Sequence, residues 1–410
     1  MSCTKTVSKN IVMFGVTGIF LLFLSAASYA ENVRFVVIGD NNSFNIDILG
    51  EVAQATVDED PDFVLFAGDL TFGYKETPTE FEIQLMDWRN TMQPVYDANI
   101  AVYPCRGNHD STGVKPEIDP TGVSSKAAWD NVFSGPYALP GNGPAGEKNI
   151  TFSFTYKNVF VVGLDIYGTH PHQVNQAWLD EQLESNTKPH VFVFSHEPAF
   201  KVFHEDCLDD YPEARNAFWD SIAGHCGRTY FVGHDHAFNH ARIDDGDGNP
   251  DNDIHQFVAG SSGAPFYNWS GSYDGDNGTW IPQPVYYEQQ YGYVLVEIDD
   301  FTVTVTGKHR TAPGVYESGG DVFTYSVSRC KGNPLCPATF LLGENDPRLN
   351  VLRKFRDETL LKSAAGRSVV HLYYTCGDLM IKVFRNNTAI KAGAKELLET
   401  VIPKLNILFN

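Results

Sequence analysis

Five short segments supply residues that could work together on one reaction: Gly39-Asp40, Gly68-Asp69, Gly107-Asn108-His109-Asp110, Ser195-His196 and Gly233-His234-Asp235-His236. Their carboxylates, carboxamide and imidazoles are oxygen and nitrogen donors. A mixed set of this kind suits borderline divalent cations such as Mn, Fe or Zn. A carboxylate that bridges two cations must lie between them, and Asp69 is the candidate. One cation then takes Asp40, Asp69 and His236, and the other takes Asp69, Asn108, His196 and His234. His234 and His236 are two residues apart, so in a turn they can reach adjacent ions. Two cations about 4 Å apart can clamp a phosphoryl group and hold a hydroxide between them. His109 follows the ligand Asn108 and can face a leaving group, and Asp110 could orient that imidazole.

Other residues are weaker candidates. Asn42, two positions after Asp40, could complete the first cation's ligand set. Arg106 precedes Asn108-His109 and could contact a phosphate oxygen or form a surface salt bridge. His170, His172, Lys201 and His204 could line the mouth, although solvent exposure without a catalytic part is the expectation for each. Asp165 ends the run VVGLD and is expected to support loops. The acidic stretch from Asp244 to Asp253 resembles a calcium loop at first glance. Pro250 stands where that loop needs glycine and Gln256 where it needs glutamate, so a polar hairpin turn is the reading.

Each of the five segments stands at the end of an apolar run: RFVVIG, DFVLFAG, IAVYP, HVFVFS and TYFVG. Such runs read as strands of a covered sheet, and open α/β sheets build their sites at the carboxyl ends of strands. Between them, 45–59, 79–99 and 174–184 show helical spacing, with Phe81, Leu85, Trp88 and Met92 as one buried stripe. Residues 111–150 and 261–290, rich in Gly and Pro, read as long irregular excursions that shape a pocket. No internal repeat is visible.

The length of 410 residues exceeds what a single core usually holds, and 42% hydrophobic residues suffice for a sizeable one. A net charge of −21 argues against nucleic acid or an anionic membrane as the main partner. The charge is uneven. Residues 331–410 hold 12 Lys/Arg against 7 Asp/Glu, a net of +5, and the remainder holds 18 against 44, a net of −26. A domain boundary is therefore expected near 330.

Lys5 and Lys9, the apolar run from Ile11 to Leu24 and Ser28-Tyr29-Ala30 have the layout of a cleaved export signal over residues 1–30. Export places the remaining cysteines in an oxidising compartment, where Cys207 with Cys226 is the best pair and Cys330 with Cys336 could close a small loop. Cys105, at a strand end, reads as a buried thiol. In the C-terminal region, 349–362 and 389–401 have helical spacing, and no run reaches the ~20 apolar residues of a spanning helix.

The five segments in order resemble those of the calcineurin-like metallophosphoesterases, including the purple acid phosphatase branch, over about residues 33–310. FVAGSSGAPFY at 257–267 resembles that family as well. The resemblance implies an α/β fold, a four-layer α/β/β/α sandwich over 31–329. It also implies two divalent metal ions and phosphoester hydrolysis by a metal-bridging hydroxide. By motif, Asp40, Asp69, Asn108, His196, His234 and His236 would be ligands and His109 the general acid or transition-state stabiliser. A phosphomonoester is the expected substrate. The alternatives are a phosphodiester, a nucleotide pyrophosphate, or a non-catalytic surface binding protein with a weakened first metal site. Many members carry Asp-x-His where this chain has Asp40-Asn41-Asn42. The purple branch carries Tyr where this chain has Phe72, so no iron–tyrosinate colour is expected. Cys336-Pro337-Ala338-Thr339, with Gly343, Leu352 to Asp357 and Tyr373-Tyr374, partly resembles the C-terminal module of bacterial exported proteins that opens with Cys-Phe-Ile-Ala-Thr. That resemblance implies a small, mainly helical module at 330–410, a periplasmic or extracellular location and attachment to a cell surface.

Overall fold

A computed structural model describes residues 32–408 except 169, 274–277, 300, 301, 328–336, 344, 345, 361, 364, 367, 368, 371, 372 and 374–376. The proposed export signal, Cys330, Cys336 and Cys376 lie outside the described residues. The chain forms two compact units, one of Asn32–Lys331 and another holding Gly332–Asn410.

The larger unit contains two sheets. The first has the order β13-β12-β11-β1-β2-β3. It is built from β1 (Val33–Ile38), β2 (Phe63–Ala67), β3 (Ala101–Cys105), β11 (Gly292–Asp299), β12 (Thr302–Ala312) and β13 (Val315–Ser326). The second has the order β10-β8-β9-β7-β6-β5-β4. Its strands are β4 (Phe152–Tyr156), β5 (Val159–Gly163), β6 (His190–Phe194), β7 (Gly227–Val232), β8 (Phe238–Asp244), β9 (Ile254–Ala259) and β10 (Ile281–Glu288). The sheets pack face to face through aromatic rings. Phe35 of β1 meets Phe192 of β6 edge-on at 4.9 Å, and Tyr103 of β3 stacks on Phe154 of β4 at 4.1 Å.

Because side chains alternate across a strand, the opposite face of each sheet needs its own cover. Helices α1 (Ile46–Glu59) and α2 (Pro78–Thr91) lie in the connections between β1, β2 and β3, and Trp88 of α2 meets Phe66 of β2 at 5.0 Å. Helices α6 (Gln176–Ser185) and α7 (Pro212–Gly224) cover the second sheet, burying Leu179, Leu183, Phe218 and Ile222 against Val162, Val193 and Tyr230. Full cover on both faces is why the inner strands read as unbroken apolar runs.

The expected helices appear with two changes. The segment 79–99 breaks at Met92 into α2 and a short α3 (Gln93–Asp97), since Pro94 has no N–H to continue the ladder. Helix α2 is fixed at its start by Thr77 and Glu80, which cap each other's backbone, with Pro78 at the first turn. The 111–150 excursion contains a helix, α5 (Val123–Val132), and 261–290 ends in the edge strand β10. The 244–253 region is a turn between β8 and β9. The carboxylates of Asp244, Asp245 and Asp253 lie within 4.8 Å of one another there, and Arg242 pairs with Asp253 at 2.6 Å.

No disulfide joins Cys207 to Cys226, contrary to the pairing expected from their position: Cys207 is a buried thiol. Cys105 is also a buried thiol, its Sγ 3.5 Å from the Phe66 carbonyl. In the smaller unit, α8 (Pro337–Leu342), α9 (Arg348–Phe355), α10 (Gly377–Asn386) and α11 (Thr388–Leu408) are helices. Among the described residues no helix is long and apolar enough to cross a membrane.

Candidate metal centre

Every expected ligand stands just past the carboxyl end of a strand. Asp40 follows β1, Asp69 follows β2, and Asn108 with His109 opens a single helical turn, α4 (Asn108–Ser111), after β3. His196 follows β6, and His234 and His236 follow β7. Strands β1, β2 and β3 run parallel, as do β6 and β7, so within each sheet the ends lie side by side. The turns are tight. Asp40, Asp69 and His234 have φ of 56°, 55° and 69°. A left-handed conformation costs a non-glycine residue about 1 kcal/mol, and such costs concentrate at functional sites. Two glycines make the close approach possible. A Cβ on Gly107 would collide with the Asp69 carboxylate, and one on Gly233 with that of Asp40.

Donor atoms of Asp40, Asp69 and His196 lie within 4.8 Å of one another, and all three residues are buried. His196 Nε2 is 3.5 Å from Asp69 Oδ1, 3.1 Å from Asn108 Oδ1 and 3.2 Å from His234 Nδ1. On the other side, His236 Nε2 is 3.5 Å from Asp40 Oδ1. Each of the three imidazoles is fixed from behind by a backbone carbonyl. His196 Nδ1 donates to Ala67 at 2.8 Å, His236 Nδ1 to Pro265 at 2.8 Å and His234 Nε2 to Asp206 at 2.9 Å. A carbonyl only accepts, so the outer nitrogen carries the proton and the inner nitrogen of a neutral ring is a lone pair. His196 Nε2 and His234 Nδ1 then face each other at 3.2 Å, and two lone pairs at that distance need a positive charge between them. A proton supplies one such charge, and a divalent cation would supply another. The residues present therefore fit a metal centre.

The electrostatics agree. Burial lowers His196 and His236 to about 4, so both stay neutral in mildly acidic solution. Burial also pulls His234 down, but hydrogen bonding with Asp206 and the charges of Asp235, Glu197 and Asp69 outweigh it and hold His234 at about 10. Asp40 is pushed well up by burial and by the charge on Asp69. Burial works the same way on Asp69, yet the imidazoles of His196, His109 and His234 keep it below the usual carboxylate range. The centre thus attracts positive charge even before a metal is considered.

The sequence of this chain decides its family. The calcineurin-like phosphoesterase pattern matches residues 33–238. The chain belongs to that family. Compared with the curated proteins, the sequence finds no match. Among solved structures it is similar to PhoD, with a TM-score of 0.54 and 12% identity over 73% of this chain and 70% of that one. It is also similar to a purple acid phosphatase from yellow lupin (Lupinus luteus) seeds, with a TM-score of 0.56 and 15% identity over 74% of this chain. The match spans 56% of the lupin chain. At these identities the likeness is one of fold.

Within this phosphoesterase fold, three residues do something other than the sequence implied. Asp110 does not orient the His109 ring. Its buried carboxylate accepts from the backbone N–H groups of Gly107, Leu70 and Thr71 and from the Thr71 hydroxyl, which ties the second and third segments together. His109 is oriented instead by the Phe72 carbonyl, 2.8 Å from Nδ1, which leaves Nε2 4.0 Å from Asp69 Oδ2. Arg106 does not lie on the surface, and its salt bridge is a buried one. It is 4% exposed and forms a two-bond pair with Asp165, at 2.6 and 3.0 Å. Asp165 is the loop support expected. Asn42 turns its amide nitrogen, not its oxygen, toward the centre, donating to Asp69 Oδ2 at 2.8 Å.

Several residues come to the centre without any signal in their spacing. His204, expected in solvent, packs 4.2 Å from the His234 ring and is held by Asp235 at 2.8 Å. His172 pairs with the buried Glu197 at 2.9 Å. Tyr267, within the family-like segment 257–267, stacks on His236 at 4.4 Å. Asp206 supplies the carbonyl behind His234.

Proposed function

We propose that this protein is an exported hydrolase that cleaves phosphomonoesters with the help of two divalent cations. The observation that carries the reading is the set of three imidazoles, each donating its outer N–H to a backbone carbonyl and turning its inner nitrogen toward the group of Asp40, Asp69 and Asn108. Asp40, Asp69 and His236 would hold one cation, and Asp69, Asn108, His196 and His234 the other. When bound, the cations would neutralise phosphoryl oxygens and acidify water. His109 lies beside Asp69 with Nδ1 donating to the Phe72 carbonyl, and its Nε2 would give a proton to the departing alkoxide from the doubly protonated ring. Asp110 and the Arg106–Asp165 pair hold the segments that carry these groups.

Metal content per chain, measured together with hydrolysis of a chromogenic phosphomonoester and phosphodiester, tests the reading. Two metals with metal-dependent turnover of the monoester support it. Preference for the diester moves the assignment to a phosphodiesterase. Asn42 favours a second reading. With its amide nitrogen on Asp69, it leaves the first cation with three protein ligands, which fits a weak first site and a binding protein. One metal or none, without turnover after reloading with Mn, Fe or Zn, would support that reading. Export and surface attachment rest on the lysines and apolar run of residues 1–30 and on the partial likeness of 336–374 to the exported-protein module.

A further inference from the structure

The rim of the centre is faced with aromatic rings. Beside His109, the Phe72 ring lies at 5.3 Å and the Tyr74 ring at 5.7 Å, and Phe44 packs edge-on against Phe72 at 5.5 Å. These three are 42%, 43% and 53% exposed, unusual for large apolar side chains that have a core available. Across the centre, Phe203 stacks parallel on Tyr267 at 4.6 Å, and Tyr267 stacks on His236. On the Phe203 side the rim is acidic. Asp206 and Asp210 stand in the segment that carries Phe203 and His204, Lys201 is paired with Glu205, and Arg106 is closed off by Asp165. Such a rim repels a second anionic group on a substrate and offers π faces to a flat one.

We propose that the organic group of the phosphoester is a planar aromatic ring that stacks on Phe72 and Tyr74. This inference rests on the hydrolytic reading above, because it uses His109 to mark the leaving-group side. A phenol ring, attached directly at the ester oxygen, would meet Phe72 and Tyr74. A nucleobase, one sugar further away, would reach Phe44 as well.

Calorimetric titration of the manganese-loaded protein with phosphonates, which are not hydrolysed, tests this. The probes are phenylphosphonate, methylphosphonate and the methylenephosphonate analogue of adenosine monophosphate. Ring stacking predicts that phenylphosphonate binds at least about tenfold more tightly than methylphosphonate. Phe72→Leu with Tyr74→Leu keeps apolar bulk at two exposed positions and should cut that ratio below about threefold. Phe44→Leu should weaken only the nucleoside analogue if a nucleobase is the natural ring, and neither probe if a phenol is. A wild-type ratio near one, a ratio unmoved by the double substitution, or no phosphonate binding at all overturns the proposal. Ring preference without any ester turnover would refute the hydrolytic reading and leave the ring surface standing. Turnover without ring preference would do the reverse.

Discussion

Metal uptake by this centre should release protons, and the number can be worked out from its charges. His234, held at about 10 by Asp206, Asp235, Glu197 and Asp69 against its burial, is almost wholly protonated at pH 7 in the metal-free protein. To bind a cation through Nδ1 it must lose that proton. Asp40, raised well above the usual range by burial and by Asp69, must lose any proton it holds as well. His196 and His236, at about 4, contribute nothing above about pH 5. The sign follows: protons compete with the cation, so affinity rises with pH. With one proton displaced, the slope is about tenfold per pH unit between about 6 and 9, flattening near 10. Calorimetric titration of chelator-stripped protein with Mn²⁺, in two buffers of different ionisation enthalpy, counts the protons directly. At least about one should appear at pH 7. Asp206→Asn removes the carboxylate 3.7 Å from His234 Nε2 and should move the plateau to lower pH. Heats that do not depend on the buffer, with an affinity flat from pH 6 to 9, would show that His234 is already neutral and would refute the charge argument.

Other outcomes follow from the same geometry. Gly107→Ala drives a methyl group into the Asp69 carboxylate, so elemental analysis should find metal lost from a chain that still folds by circular dichroism. Arg106→Ala leaves the buried Asp165 without its ion-pair partner, a loss of about 3–5 kcal/mol in urea unfolding, and Arg106→Met with Asp165→Leu should regain most of it. His109→Ala should lower kcat with metal content kept. Asp110→Ala should instead lower the thermal midpoint, because it strands four buried donors at about 1–3 kcal/mol each. Iron-loaded protein should show no visible charge-transfer band, since Phe72 has no phenolate; a band would point to another tyrosine, with Tyr267 on His236 the first to substitute.

Much of the scaffold was legible because its signals are local. Strand runs and the 3.6-residue spacing of α1, α2 and α6 repeat within a few residues, and the structure shows those elements. Helix α5 was not legible: Gly122 gives it no side-chain cap and its apolar face is short. Strand β10 was hidden by Pro282 and Pro284, which an edge strand tolerates because one side of it has no ladder to complete. The exposed aromatics and His204 carried no spacing signal, since their neighbours at the centre are far away in the chain.

The sequence by itself determined the donor types. An Asp, Asn or His directly after an apolar run sits at a strand's carboxyl end wherever that strand ends up. What it left open is which strand ends meet. That was decided by two sheets packing through Phe35, Tyr103, Phe154 and Phe192, which brings β1, β2 and β3 of one sheet against β6 and β7 of the other. Asp40 accepts from the His234 backbone across 194 residues of chain. The parts played by Asp110, Arg106 and Asn42 were decided the same way. A carboxylate, guanidinium or carboxamide bonds to whichever partner folding buries beside it, and that partner is set by packing between segments, not by spacing within one.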